Sequence, residues 1–78
     1  MRLYLSPKFL QDNAELAKTD RLLSQKAIEM VYVALDEPFS GRGNPMQDEK
    51  GQWHREIKGR YRFVYTVECN EMRVLGME

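Results

Sequence analysis

The sequence predicts a single α+β domain, residues 1–78, in which a two-helix hairpin packs on one face of a small antiparallel β-sheet in the order β-α-α-β-β-β. Three observations lead there. An apolar stripe at helical spacing runs from Leu23 to Ala34. Period-two alternation fills the stretch from Trp53 to Met77. A chain of 78 residues has room for one hydrophobic core and no more.

The first element is a short strand, Arg2-Leu3-Tyr4-Leu5, with Leu3 and Leu5 on one side. Ser6-Pro7 starts a helix, serine serving as N-cap and proline occupying the first helical position. Phe9, Leu10, Ala14, Leu16 and Ala17 recur at helical spacing through about Lys18. Thr19-Asp20 breaks that pattern and caps a second helix, so the two helices form a tight hairpin. In the second helix Leu23, Ala27, Met30, Val31 and Ala34 fall at i, i+4, i+7, i+8 and i+11, with Ile28 and Leu35 widening the stripe. Pro38 ends it, because the residue before a proline is pushed out of helical space.

Residues 39–52 contain Gly41, Gly43, Pro45 and Gly51 and read as a long loop, a length that in so small a domain points to function. Gly41 and Gly43 give the loop freedom to bend. They do not form a nucleotide-binding loop, which needs a lysine and a strand-to-helix setting. Three strands follow. Trp53–Ile57 places Trp53, Arg55 and Ile57 on one side and His54 and Glu56 on the other. Lys58-Gly59 is a tight turn, and Arg60–Glu68 puts Tyr61, Phe63, Tyr65 and Val67 on one face, with Arg60, Arg62, Val64 and Thr66 on the other. After a turn at Cys69-Asn70, Glu71–Met77 forms the last strand. Alternation does not say which face the helices cover, so Arg62 belongs either to a structural salt bridge or to an exposed concave surface.

Composition narrows the function. The hydrophobic fraction of 42% and charged fraction of 31% are those of a globular protein. Cys69 is alone, and no Cys/His cluster has zinc-ligand spacing, which favours a reducing cytoplasm and no metal site. The N-terminus does not read as a signal peptide, and no apolar run approaches the length of a membrane span. The formal net charge is zero, yet residues 41–62 hold six basic side chains (Arg42, Lys50, Arg55, Lys58, Arg60, Arg62) against three acidic ones (Asp48, Glu49, Glu56). That segment can present a basic face to phosphate; the blander reading is a set of solvated strands and loop. Trp53, Phe63 and Tyr65 likewise read as core residues, with RNA-base stacking as the alternative.

One stretch is specific. From Pro38 the chain reads Pro-Phe-Ser-Gly-Arg-Gly-Asn-Pro, then Gly51-Gln-Trp-His-Arg-Glu-Ile, then Arg60-Tyr-Arg-Phe-Val-Tyr. This resembles the YoeB/Txe branch of the RelE/ParE toxin superfamily, in which a Pro-Phe-x-Gly-x-Gly-x-Pro loop leads into a Gly-x-Trp-x-Arg strand and an Arg-x-Val-Tyr strand. Ser6 and Thr19-Asp20 also sit where that family has them. The resemblance implies a RelE-like fold and the toxin of a type II toxin–antitoxin pair. Such toxins are ribosome-dependent endoribonucleases that cut messenger RNA in the A site by attack of the ribose 2′-oxygen, without metal or cofactor. The implied partners are a cognate antitoxin, the ribosome and mRNA, and the resemblance also admits a homodimer.

The resemblance implies roles for particular residues. Arg62 matches the phosphate-stabilising arginine, and Arg55 matches a basic residue that contacts RNA backbone; a guanidinium suits both, staying charged and presenting a planar fork of donors. Arg42, Lys50, Lys58 and Arg60 are further candidates for RNA contact. Three departures stand beside these matches. Met46 occupies the position where the branch carries a glutamate base, leaving Asp48 and Glu49 as the nearest carboxylates and Glu49 as the candidate substitute. Glu56 replaces a basic residue. The sequence ends at Glu78, about where the family's aromatic/histidine tail, with its general acid, begins. His54, the one histidine, is either a candidate proton donor or a polar residue on the outward side of a half-buried strand. Three functions therefore compete: a ribonuclease toxin, a toxin-like module that binds antitoxin or ribosome without cutting, and, lowest, a ParE-like gyrase inhibitor.

Overall fold

The computed structural model describes residues 1–78. The elements are β1 (Arg2–Leu5), α1 (Pro7–Thr19), α2 (Arg21–Asp36), β2 (Met46–Gln47), β3 (Trp53–Lys58), β4 (Tyr61–Glu68) and β5 (Glu71–Met77). They build the expected α+β arrangement, with two refinements. The sheet order is β1-β5-β4-β3-β2, and β1 joins β5 in parallel while all other neighbours are antiparallel, so the sheet is mixed. The parallel pairing follows from connectivity, since the helical hairpin carries the chain across between β1 and the strands that follow. The loop expected over 39–52 also contributes β2, which adds a fifth strand by pairing Met46 with His54 and Gln47 with Trp53.

Local chemistry sets the helix ends. Ser6 caps α1 by accepting from Phe9 N at 3.1 Å, and its hydroxyl donates to Leu75 O at 2.7 Å, tying the helix start to β5. Asp20 serves both helices. Its backbone N–H donates to Leu16 O at 2.7 Å and its carboxylate accepts from Leu23 N at 3.0 Å, so a single residue separates α1 from α2. The hairpin is pinned midway by Ser24 Oγ, which donates to Asn13 Oδ1 at 2.9 Å.

The α2 stripe behaves as its periodicity requires: Leu23, Ala27, Met30, Val31 and Ala34 are all buried. In α1 only Phe9 is fully buried, with Leu16 partly so; Leu10, Ala14 and Ala17 face outward. Phe9 meets Phe63 edge-to-face at 6.5 Å, and Phe63 meets Tyr65 at 5.6 Å, so the aromatics of β4 form the core and not a stacking platform. Trp53 is half-buried and packs on Phe39 at 5.2 Å. The β4–β5 turn is made by Cys69 and Asn70, both at positive φ (50° and 59°), the conformation a two-residue hairpin with right-handed strand twist demands. No helix is long and apolar enough to cross a membrane.

The helices cover the face carrying Leu3, Leu5, Ile57, Phe63, Tyr65, Met72 and Val74. The opposite face is open. Strand parity thus resolves which surface Arg62 occupies.

Candidate functional site

Arg62 lies on the open face of β4, exposed to solvent. It stands between two in-register neighbours, Glu56 of β3 and Glu78 just past β5, whose N–H donates to Arg62 O at 2.9 Å. Neither carboxylate forms an ion pair with its guanidinium. Arg62 is therefore a displayed cation, free to meet an anion from outside.

Beside it sits a carboxylate–imidazole–carboxylate cluster. His54, on the open face of β3, contacts Asp48 Oδ2 through Nε2 at 2.8 Å and Glu78 Oε1 through Nδ1 at 2.6 Å. An ionised carboxylate can only accept, so this pair of contacts favours the imidazolium, in which both ring nitrogens donate. The hydrogen bond to Asp48 is the main cause of a His54 pKa above its ordinary value; desolvation opposes it, and Glu78 adds to it. The same hydrogen bond holds the Asp48 carboxyl below the usual range, and Asp48 is further fixed by accepting from Lys50 N at 2.9 Å and Gln52 N at 3.0 Å. The cluster walls a shallow polar hollow that includes Gln47, Glu49 and Lys50 and has Val64 beneath.

Arg55 requires a correction. Expected as an RNA-backbone contact, it is wholly buried on the helix-covered face. Its guanidinium donates to Glu37 O at 2.7 Å, Ser40 O at 2.8 Å and Arg42 O, and approaches Tyr65 Oη at 3.5 Å; Tyr65 in turn donates to Pro38 O. Arg55 thus gathers residues 37–42 from inside. Gly43 is needed there for contact as well as for its φ of 87°: a Cβ would lie 2.8 Å from Arg55 Cγ and 2.9 Å from Glu56 O.

The other candidates do not converge on one basic face. Lys50 borders the hollow at His54. Arg42 is exposed and reaches Glu29 at 3.4 Å. Lys58 ends β3 and Arg60 lies in the β3–β4 turn, beside Lys26 and Leu22, and Arg60 lies 5.7 Å over the Tyr61 ring. Glu49 is exposed at the rim of the hollow, whereas Asp48, its neighbour, is the carboxylate that engages His54. Met46, expected at the position of the family's base, is 69% exposed and offers nothing that takes a proton. The Asp48–His54–Glu78 grouping escaped sequence reasoning because its members come from a loop, β3 and the end of β5. Only strand pairing brings residues 24 apart in sequence together.

With this geometry in place, comparison with known proteins is decisive for the family. Residues 5–78 match the family described as "YoeB-like toxin of bacterial type II toxin-antitoxin system". The chain belongs to the YoeB-like toxins. Among solved structures it is similar to a YoeB/ParE toxin from Agrobacterium tumefaciens, at 27% identity and a TM-score of 0.86, covering 100% of this chain and 97% of that one. It also resembles Staphylococcus aureus YoeB in a heterotetrameric YoeB–YefM toxin–antitoxin complex (22% identity, TM-score 0.82, coverage 100% and 94%). The S. aureus YoeB dimer matches at 22% identity and a TM-score of 0.79, with the same coverage. Among curated proteins none is a significant sequence match. In this YoeB-like toxin, then, Arg62 is displayed, while Met46, expected where the family carries its base, offers only an exposed apolar side chain.

Proposed function

We propose that this YoeB-like toxin is a ribosome-dependent endoribonuclease that cuts mRNA in the A site by metal-independent attack of the 2′-oxygen on the adjacent phosphate. The observation that carries this reading is Arg62: an exposed guanidinium without an ion-pair partner, on the uncovered face of the sheet of a chain in this family. Phosphoryl transfer to a neighbouring 2′-oxygen crowds negative charge onto the non-bridging oxygens, and a preorganised guanidinium offsets that charge where it develops. Lys50, at the edge of the same face, supports docking of the RNA backbone. The toxin acts in the cytoplasm and is held inactive by a cognate antitoxin, as the YoeB–YefM complexes of S. aureus suggest.

In vitro translation with purified protein, with messenger ends mapped by primer extension, tests this reading. Cuts at A-site codons should appear with the wild-type chain and fall by about 100-fold or more in Arg62→Ala. Intact messenger with the wild-type chain would refute it.

A second reading, a module that binds antitoxin or ribosome without cutting, draws on Met46, whose side chain cannot serve as base. It requires that wild-type and Arg62→Ala chains be equally harmless on expression and bind the antitoxin equally well.

A further inference from the structure

We propose that the acid–base work of cleavage is done on the open sheet face, with His54 as general acid, Glu78 as general base and Asp48 as the residue that positions the imidazole. This assignment rests on the ribonuclease reading and deepens it by naming its proton-transfer groups.

The geometry assigns distinct parts to the two carboxylates. Asp48 accepts three hydrogen bonds, from His54 Nε2 and from the backbone N–H groups of Lys50 and Gln52, and is locked into its loop. A carboxylate so fully engaged, with a lowered pKa, is a poor base and a good anchor. Glu78 has a single side-chain partner, His54 Nδ1, and its side chain is half-exposed. It can therefore turn toward a substrate. Its backbone pairs directly with that of Arg62, so its carboxylate and the Arg62 guanidinium flank one site on the open face.

The step balances as follows. An RNA phosphate sits on Arg62, and Glu78 swings off Nδ1 to take the proton of the 2′-hydroxyl. The 2′-oxygen forms a bond to phosphorus while the bond from phosphorus to the 5′-oxygen breaks, and Nδ1 gives its proton to that departing oxygen. The products are a 2′,3′-cyclic phosphate and a 5′-hydroxyl end. Glu78 is left protonated and His54 neutral. When Glu78 swings back to the 2.6 Å contact with Nδ1, it returns the proton and resets the site. Throughout, Nε2–H stays on Asp48, which keeps the ring oriented and favours its charged form. The charged groups around the ring are Asp48, Glu49 and Lys50 from the loop, Glu78 from the end of β5, Arg62 from β4 and Glu56 along β3. The hydrogen bonds to Asp48 and Glu78 pull the His54 pKa upward and so favour the charged ring, the form a proton donor needs.

The test combines cleavage rates across pH in the translation assay with NMR titration of His54, the sole histidine and so a single imidazole signal. His54→Gln and Glu78→Gln should each cut about 100-fold or more slowly, with His54→Gln losing the alkaline limb of the pH profile. Asp48→Asn should shift that limb, and the NMR midpoint of His54, to lower pH while messenger is still cut. A residue of merely structural importance would lower the rate without moving the limb. Native-like NMR spectra of the variants show that each is folded. Wild-type cleavage that depends on Arg62 but proceeds at full rate, with an unchanged pH profile, in His54→Gln and Glu78→Gln would overturn this assignment and leave the ribonuclease reading standing. An alkaline limb and NMR midpoint unmoved in Asp48→Asn would remove Asp48 from its role. Absence of wild-type cleavage would overturn the ribonuclease reading and this assignment together.

Discussion

Arg55 and Arg62 sit on adjacent, paired strands, and Arg62 is opposite Glu56, one residue along from Arg55. That single step puts them on opposite faces of the sheet. Arg55 is fully buried and its two terminal nitrogens donate to backbone carbonyls of residues 37–42, with Nε left unpartnered, whereas Arg62 is in solvent with no ion-pair partner. The same side chain therefore does two unrelated jobs. Inside, a guanidinium ties together a loop without regular secondary structure by donating to the carbonyls of Glu37, Ser40 and Arg42. Outside, it is a reservoir of positive charge that costs the fold almost nothing. Residue type sets what an arginine can do; strand parity decides which of these it does.

The sharpest way to break this comparison is to remove each arginine and measure stability by thermal denaturation. Arg55→Ala removes three hydrogen bonds to backbone carbonyls, at about 1 kcal/mol each, so a loss of about 3 kcal/mol is expected. For a domain of this size that lowers Tm by about 12–24 °C. Arg62→Ala should stay within about 0.5 kcal/mol of the wild type while abolishing growth arrest on expression without antitoxin. Equal losses in the two variants would show that parity does not separate their roles. Tyr65→Phe sharpens the inner half: it removes the donor to Pro38 O beside Arg55 and should cost about 1 kcal/mol by chemical denaturation.

The smallest effect concerns the open face and is read from the pH dependence of stability. His54 has a raised folded-state pKa, so its contribution is fully present below its unfolded value of about 6.5 and is lost as pH rises through the folded value. Asp48 has a lowered folded-state pKa, so its contribution is present above its unfolded value of about 3.9 and is lost as pH falls through the folded value. Wild-type protein should therefore lose stability relative to His54→Gln as pH rises above about 6.5. Parallel stability curves for the two over that window would mean that the imidazole gains nothing from its carboxylates.

Much of this was legible in the residues. The α2 stripe from Leu23 to Ala34 faces inward because a 3.6-residue period leaves an amphipathic helix one way to bury its apolar side. Asp20 and Ser6 mark the helix boundaries because their short polar side chains satisfy backbone N–H groups that no helix can satisfy itself. The Pro38–Tyr65 motif carried the family, since an ordered series of spaced residue types survives without any knowledge of packing. Alternation even grouped Arg55 with Trp53 and Ile57, although a charged residue in that set reads as surface until the core is known to close over it.

Tertiary structure alone decided the rest. The outward turn of Leu10 followed from where α1 rests on the sheet, because a helix docked by one narrow face leaves its other apolar residues in water. The parallel β1–β5 pairing and the two-residue β2 depend on which strand edges meet, a non-local choice that local pattern does not encode. The meeting of Asp48, His54 and Glu78 next to Arg62 has the same origin. Hydrogen-bond registers across β3, β4 and β5 align them, and a register is a property of paired strands that no single segment carries.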